Sequence, residues 1–296
     1  MYDMTGYHEA HSLTDVFKLM QADPTARLVA GGTDVLVKIR AAAPHYADTT
    51  LIGISRITAL KGCTLEADGT FNIGALMTFD QIEHDSLIQT HLGLLSQAVS
   101  LVGGPQTRRM GTVGGNICNA GPAADSAPSL FTYNAQIEIQ SESNVRQVPI
   151  AQFYVGPGRT ILKPGEIVTK IKIAPEDYRG FVGHYTKFAR RKALDIANLS
   201  CAALIKVSAE QRIEALRICF GAAGPVPLRM PQAEAYARHQ PLNRAVLNTI
   251  GEYCLKDTQT ISDWRNSKVF RDHLVTILPG RDISMALRGD EDEAIG

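Results

Sequence analysis

The sequence predicts a mixed helix-and-strand protein of the α+β class, made of two or more compact units. Three observations lead to that expectation. The chain has 296 residues, about twice the ~150 of an average domain. Strand-like alternation, as in Glu166-Ile167-Val168-Thr169-Lys170-Ile171-Lys172-Ile173, is interspersed with helical spacing, as in Leu13, Val16, Phe17, Leu19 and Met20. Two glycine-rich turns interrupt these patterns, Gly31-Gly32-Thr33-Asp34 and Gly111-Thr112-Val113-Gly114-Gly115-Asn116.

Taken in order, Ser12 followed three residues later by Asp15 caps a helix over 12–22. Arg27-Leu28-Val29-Ala30 is a short strand, the first glycine turn follows, and Val35, Leu36 and Ile39 open a second helix. Leu51 to Ile57 and Cys63 to Leu76 read as strands, with Asp68-Gly69 supplying a tight hairpin turn. Residues 80–101 read as helical, with Ile82, Leu87, Ile88, Leu92, Leu95, Val99 and Leu101 as the buried face. Gln136-Ile137-Glu138-Ile139 and Arg146-Gln147-Val148 form another hairpin, and Ala174-Pro175-Glu176-Asp177 breaks the pattern as a domain boundary. Beyond it, 202–207 and 213–220 are strands and 231–237, 243–255 and 266–278 are helices, a short sheet backed by helices. The charged end from Arg288 has nothing to bury and reads as a disordered tail over 288–296.

Composition removes several function classes. Lys+Arg 30 against Asp+Glu 30 gives a net charge of +0, which disfavours nucleic-acid or membrane-surface binding. Five cysteines, an odd and widely spaced set, fit neither a disulfide framework nor a metal or iron–sulfur motif. No apolar run approaches the ~18 residues of a membrane span, and the first residues do not read as a signal peptide, so a cytoplasmic protein is expected. Pairs such as His84 and His91, lacking a third ligand nearby, point to no metal site.

Glycine lets successive backbone N–H groups converge on one concavity, and such nests bind anionic oxygens without side-chain charge. Two such turns suit the pyrophosphate of a dinucleotide. Neither the Walker pattern nor the Rossmann GxGxxG spacing occurs, which argues against ATP hydrolysis and a Rossmann fold.

Leu28-Val29-Ala30-Gly31-Gly32-Thr33-Asp34, Thr112-Val113-Gly114-Gly115-Asn116 leading to Asp125, Phe153 to Thr160, Lys187 to Ile196 and Ser262-Asp263-Trp264-Arg265 come in the order of a known set of motifs. With them the chain resembles the FAD-binding medium subunit of the molybdenum hydroxylases, and most of all its bacterial xanthine dehydrogenase branch. The resemblance implies a vanillyl-alcohol-oxidase-type FAD-binding domain over 1–175, of two α/β subdomains (about 1–57 and 58–175), and a CO-dehydrogenase-flavoprotein-like C-terminal domain over 181–287. It implies noncovalent FAD, NAD as electron acceptor, and partner subunits carrying molybdopterin and [2Fe–2S] centres. Carried over by motif, Leu28, Val29, Ala30, Gly31, Gly32, Thr33, Asp34 and Val35 wrap the FAD pyrophosphate, and Thr112, Gly115 and Asn116 form a second wall. Asp125 reaches a polar group of FAD, Val168 packs on the flavin ring, and Lys187 touches and electrically tunes it.

Read from chemistry alone, some of these residues have other roles open. A carboxylate at Asp34 is repelled by a pyrophosphate and is expected to cap the following helix. Asp125 has a cap before Ser126 as its alternative, Lys187 a solvated strand position, and Cys118 inert packing. Two other functions also stay open: a stand-alone oxidase or reductase of the same fold, and a non-catalytic assembly subunit. No Tyr, Ser or Glu announces itself as the acid or base that the former requires.

Overall fold

The computed structural model describes residues 4–44 and 46–288, so the expected tail lies outside the described residues from 289 onward. The chain opens with strand β1 (Met4–Glu9), helix α1 (Leu13–Ala22), β2 (Arg27–Val29), α2 (Val35–Arg40) and β3 (Thr49–Gly53). The capping box forms as expected, with Ser12 Oγ accepting from the Asp15 amide at 3.1 Å and the Asp15 carboxylate accepting from the Ser12 amide at 2.9 Å. The three strands make a parallel sheet in the order β1-β3-β2, packed through Val16, Phe17 and Ile52. Strand β1 was not anticipated: it buries none of its residues fully, so it shows no hydrophobic alternation. The strand expected over 51–57 stops at Gly53, where Ile54 turns to donate to the Val29 carbonyl at 3.0 Å.

Strands β4 (Cys63–Leu65) and β5 (Phe71–Gly74) form the expected hairpin, with Gly69 at φ +93° in its turn. The single helix expected over 80–101 is three: α3 (Phe79–His84), α4 (Ser86–His91) and α5 (Gly93–Ser100). Asp85 leaves helical geometry to accept from the Ile88 amide at 3.0 Å, and Leu92 breaks it again. Ile82, Ile88, Leu92, Leu95 and Val99 are buried nonetheless, whereas Leu87 is exposed.

Helices α6 (Pro105–Met110), α7 (Val113–Asn119) and α8 (Ser126–Thr132) follow, then β6 (Gln136–Gln140), β7 (Val145–Pro149), α9 (Ile150–Phe153), β8 (Tyr154–Gly156), β9 (Arg159–Thr160) and β10 (Ile167–Ile173). Strands β4-β5-β10-β6-β7 build an antiparallel sheet. It packs on α3, α4, α5, α7 and α8 through Phe71, Ile73, Ile137, Ile139 and Ile171.

After a 3₁₀ turn at Pro175–Asp177 come β11 (Val182–Phe188), β12 (Leu199–Val207), β13 (Ile213–Gly221) and β14 (Leu228–Arg229), an antiparallel sheet in sequence order. Helices α10 (Pro231–Ala237), α11 (Arg244–Cys254) and α12 (Lys268–Arg288) back it, as the sequence led one to expect. Helix α12 runs past its expected end at 278 because Pro279 is accommodated inside it. Strand β11 has two faces. His184 Nδ1 (2.9 Å) and Thr186 Oγ1 (2.5 Å) meet the buried Asp282 of α12, while Tyr185 and Lys187 point the opposite way, to the loops around α7 and α8. All five cysteines are free, and among the described residues no helix is long and apolar enough to cross a membrane.

Candidate functional site

Parallel β2 delivers the chain to Gly31 and Gly32 at the edge of a cleft of about 360 Å³. Among the described residues, the backbone amides of Gly31, Gly32, Thr33, Asp34 and Val35 donate to no protein acceptor; regular helical bonding resumes at Leu36, which donates to the Gly32 carbonyl at 3.1 Å. Five amides in one turn without a protein partner, four of them in half-buried residues and all at the start of α2, are free to donate to a polyanion in the cleft. Gly32 sits at φ +71°, a conformation glycine adopts freely. At Gly31 the demand is different: a Cβ would stand 1.7 Å from the Met110 carbonyl oxygen, so the first turn lies directly on the junction between α6 and α7.

The cap expected of Asp34 does not form. Its backbone is already right-handed helical, which leaves the carboxylate without an amide to accept from, and it pairs instead with Lys38 Nζ at 2.6 Å. Lys38 also donates to Asn119 Oδ1 at 2.6 Å, tying α2 to α7 across the cleft.

The second glycine segment is a wall rather than a second nest. Val113 donates to the Met77 carbonyl at 3.0 Å, Gly114 to that of Ala75 at 2.9 Å, and Gly115 to Thr112 Oγ1 at 3.1 Å. Its amides are therefore spent on the protein. Glycine serves here for close approach: a Cβ at Gly114 would lie 2.6 Å from the Ala75 carbonyl oxygen, while one at Gly115 meets only Thr112 Oγ1 before opening into the cleft. Asn116 Oδ1 is held by Ser126 Oγ at 2.7 Å.

The cleft brings together Leu28 to Val35, Thr112, Gly115, Asn116 and Val168, residues from three separate parts of the chain. Ile54, Leu76, Leu162, Ile167 and Val168 give it an apolar side, and Tyr46, with the Arg27 and Lys38 cations 4.8 and 5.1 Å from its ring centre, lies at the nest side. An anion cradle adjoining an apolar wall fits a dinucleotide with an apolar-faced ring system. Cys118 also lines it, but burial pushes its thiol up to about 12, which keeps it unreactive.

Asp125 and Lys187 do not line this cleft; they are bonded to each other. Lys187 Nζ lies 2.8 Å from Asp125 Oδ2 and 2.9 Å from the Leu101 carbonyl, and Tyr185 Oη donates to Asp125 Oδ1 at 2.8 Å. The Lys187 side chain is 9% exposed, so the solvated alternative does not hold. Asp125 precedes α8 but makes no cap bond, so its capping alternative fails too. Burial pushes the Asp125 carboxyl above its ordinary range, against the opposing pull of Lys187 and Tyr185.

Sequence reasoning missed Tyr46, Lys38, Asn119 and the Met110 carbonyl. Lys38, four residues after Asp34 on a helix, was visible as an ion-pair signal; the others come together only through the fold. His84 does have neighbours, contrary to expectation: Asp80 and Glu83 lie with it in a group spanning 4.8 Å, but Arg108 occupies Glu83 at 3.1 Å.

A family model described as the FAD binding domain in molybdopterin dehydrogenase matches residues 3–176, and the CO dehydrogenase flavoprotein C-terminal domain matches residues 184–285. The chain belongs to the FAD-binding subunits of the molybdenum hydroxylases. It is 39% identical to the xanthine dehydrogenase FAD-binding subunit of Escherichia coli O157:H7, covering 97% of each chain. It is 31% identical to the glyceraldehyde dehydrogenase medium chain of Sulfolobus acidocaldarius, covering 92% of this chain and 94% of that one. The same fold occurs in carbon monoxide dehydrogenase from Hydrogenophaga pseudoflava (TM-score 0.90, 24% identity, 97% of this chain and 99% of that chain). Quinoline 2-oxidoreductase from Pseudomonas putida 86 shares it as well (TM-score 0.90, 24% identity, 98% and 99%). These relatives bear out the FAD-binding fold with its flavoprotein C-terminal domain that the motifs implied.

Proposed function

We propose that this chain is the electron-transfer subunit of a cytoplasmic xanthine dehydrogenase-like complex, with residues 1–175 as its FAD-binding domain and 181–287 as its C-terminal domain. The Gly31–Val35 nest, whose five amides lack protein acceptors, is the observation that supports it. In this reading Leu28 to Val35 bind the FAD pyrophosphate, Gly115 and Asn116 leave room for the cofactor opposite, and Val168 contributes the apolar face for its ring. Bound FAD would supply stepwise electron acceptance and hydride transfer. The protein's part is to orient it, exclude water with the apolar wall, and set the local field. Lys187, which Asp125 holds buried outside the cleft lining, is the cation that the motifs assign to the flavin ring. Electrons would come from a purine-like heterocycle oxidised at a molybdopterin-bearing large subunit, through [2Fe–2S] centres on a small subunit, and leave to NAD. The 39% identity to a xanthine dehydrogenase FAD-binding subunit favours that branch over the nicotinate, aldehyde or carbon monoxide branches.

The test is functional dissection. FAD-loaded isolated chain should oxidise NADH with an artificial dye while leaving purines untouched, and adding the two partner subunits should restore purine-dependent NAD reduction. Hydride transfer needs only a nicotinamide positioned on the flavin. Purine turnover by the isolated chain would overturn the subunit reading, and FAD-loaded protein inert to NADH would remove NAD as acceptor.

A further inference from the structure

Strand β2 has two faces, and the cleft reaches residues on both. Leu28 packs on one side, in the same apolar cluster as Ile54, Leu76 and Ile167 of the wall assigned to the flavin ring. Val29 faces the other way, into a cluster with Ile39, Leu51 and Tyr46. The nest of Gly31 to Val35 begins just past the end of β2, between these two sides. FAD with its pyrophosphate on the nest and its flavin on the wall therefore carries its adenosine half across the strand end, to the side of Tyr46.

Tyr46 has the properties of a base-binding surface. It is half-buried and lines the cleft, whereas Phe79, the other aromatic residue of the lining, is 3% exposed. The ring is also held in place. Its backbone amide donates to the Ala43 carbonyl at 3.0 Å, the side chain packs with Ile39 and Leu51, and the Arg27 guanidinium and Lys38 ammonium groups lie 4.8 and 5.1 Å from the ring centre. Lys38 is anchored in turn by Asp34 and Asn119, each at 2.6 Å. Among the described residues the Tyr46 hydroxyl has no hydrogen-bond partner, which leaves it for a ring nitrogen or a ribose hydroxyl. A fixed aromatic ring beside an anion nest holds a purine at little ordering cost, because stacking needs no rearrangement of the protein.

We propose that Tyr46, with Arg27 packed on its ring, holds the adenine end of FAD and makes the site select FAD over a flavin that ends in a single phosphate. The proposal rests on the reading of the cleft as an FAD site.

ADP and inorganic pyrophosphate are the probes, since both carry the diphosphate and only ADP carries the adenosine. Each is titrated as a competitor of FAD, so that loss of the adenine contact is separated from damage to the nest. Base–aromatic stacking contributes about five- to a hundredfold in affinity. Tyr46→Ala should therefore weaken ADP and FAD binding at least fivefold, while pyrophosphate and FMN bind within about twofold of wild type; Tyr46→Phe, which keeps the ring, should recover most of the loss. Unchanged ADP and FAD affinity in Tyr46→Ala would overturn the proposal, as would an equal loss of pyrophosphate and FMN binding, which would make Tyr46 a structural support of the nest. Wild-type chain that binds ADP no better than pyrophosphate would overturn it as well. A wild-type chain that binds neither FAD nor ADP would remove the FAD reading of the cleft itself, and the adenine contact with it.

Discussion

Replacing Gly31 by alanine tests how the cleft is built, because it adds a single methyl where two backbone segments meet. That methyl would lie 1.7 Å from the Met110 carbonyl oxygen and 2.4 Å from its carbon. Real Cβ contacts keep about 3 Å, so the β2–α2 turn and the α6–α7 junction must separate by about 1 Å. Neither side is a flexible side-chain end that can swing away. Overpacking of this kind costs about 1–3 kcal/mol of folding stability. The larger effect falls on cofactor binding, since a displaced nest loses amide bonds to a charged pyrophosphate worth about 1.5–3 kcal/mol each. Loss of two of them weakens FAD binding by about 10²–10⁴-fold. Quenching of FAD fluorescence on titration into apoprotein measures the affinity, and thermal unfolding of apoprotein measures the stability term separately. Gly93→Ala, at a position where a Cβ meets nothing within 4 Å, is the matched control. Wild-type FAD affinity in Gly31→Ala would refute the placement of the phosphates against this junction.

Three further outcomes are expected. Gly32→Val and Gly115→Val should each abolish stoichiometric FAD after gel filtration, the first through strain at φ +71° and the second through a side chain projecting into the cleft, with far-ultraviolet circular dichroism unchanged. Lys187→Met should lower the flavin midpoint potential in a redox titration and, by leaving Asp125 buried without its cation, destabilise the chain by about 3–5 kcal/mol in urea unfolding; an unchanged potential would leave Lys187 a structural role alone. Burial alone would raise the Asp263 carboxyl, but hydrogen bonds from Arg271, Arg265 and two amides hold it well below the usual range. Its contribution is therefore complete above about pH 4 and fades as pH falls toward its depressed folded value, so Asp263→Asn should cost stability at pH 7 and progressively less in acid.

What the sequence made legible was local. The Ser12–Asp15 box, the Asp68-Gly69 turn and the alternation of 166–173 each carry their signal within a few residues, and each forms. What it hid was nonlocal. Strand β1 lies on the edge of a parallel sheet, with no residue fully buried and its partner more than forty residues away. The second glycine segment resembled a nest because its glycines are visible, whereas the Ala75 and Met77 carbonyls that consume its amides come from a distant turn. Gly31 could be seen as permissive; only the fold shows that it is required by a carbonyl nearly eighty residues on. For Lys187 and Asp125 the motifs implied separate contacts to FAD, whereas the structure bonds them to each other and to Tyr185, outside the cleft lining.

Whether the Gly31–Val35 turn and the α7 wall hold one noncovalent FAD is read from the absorption spectrum of the purified chain before and after acid precipitation. Flavin bands at about 375 and 450 nm are expected at one FAD per chain, with all of the flavin released into the supernatant. A colourless chain that takes up no FAD on titration, or flavin that stays with the precipitated protein, would contradict noncovalent FAD binding at that site.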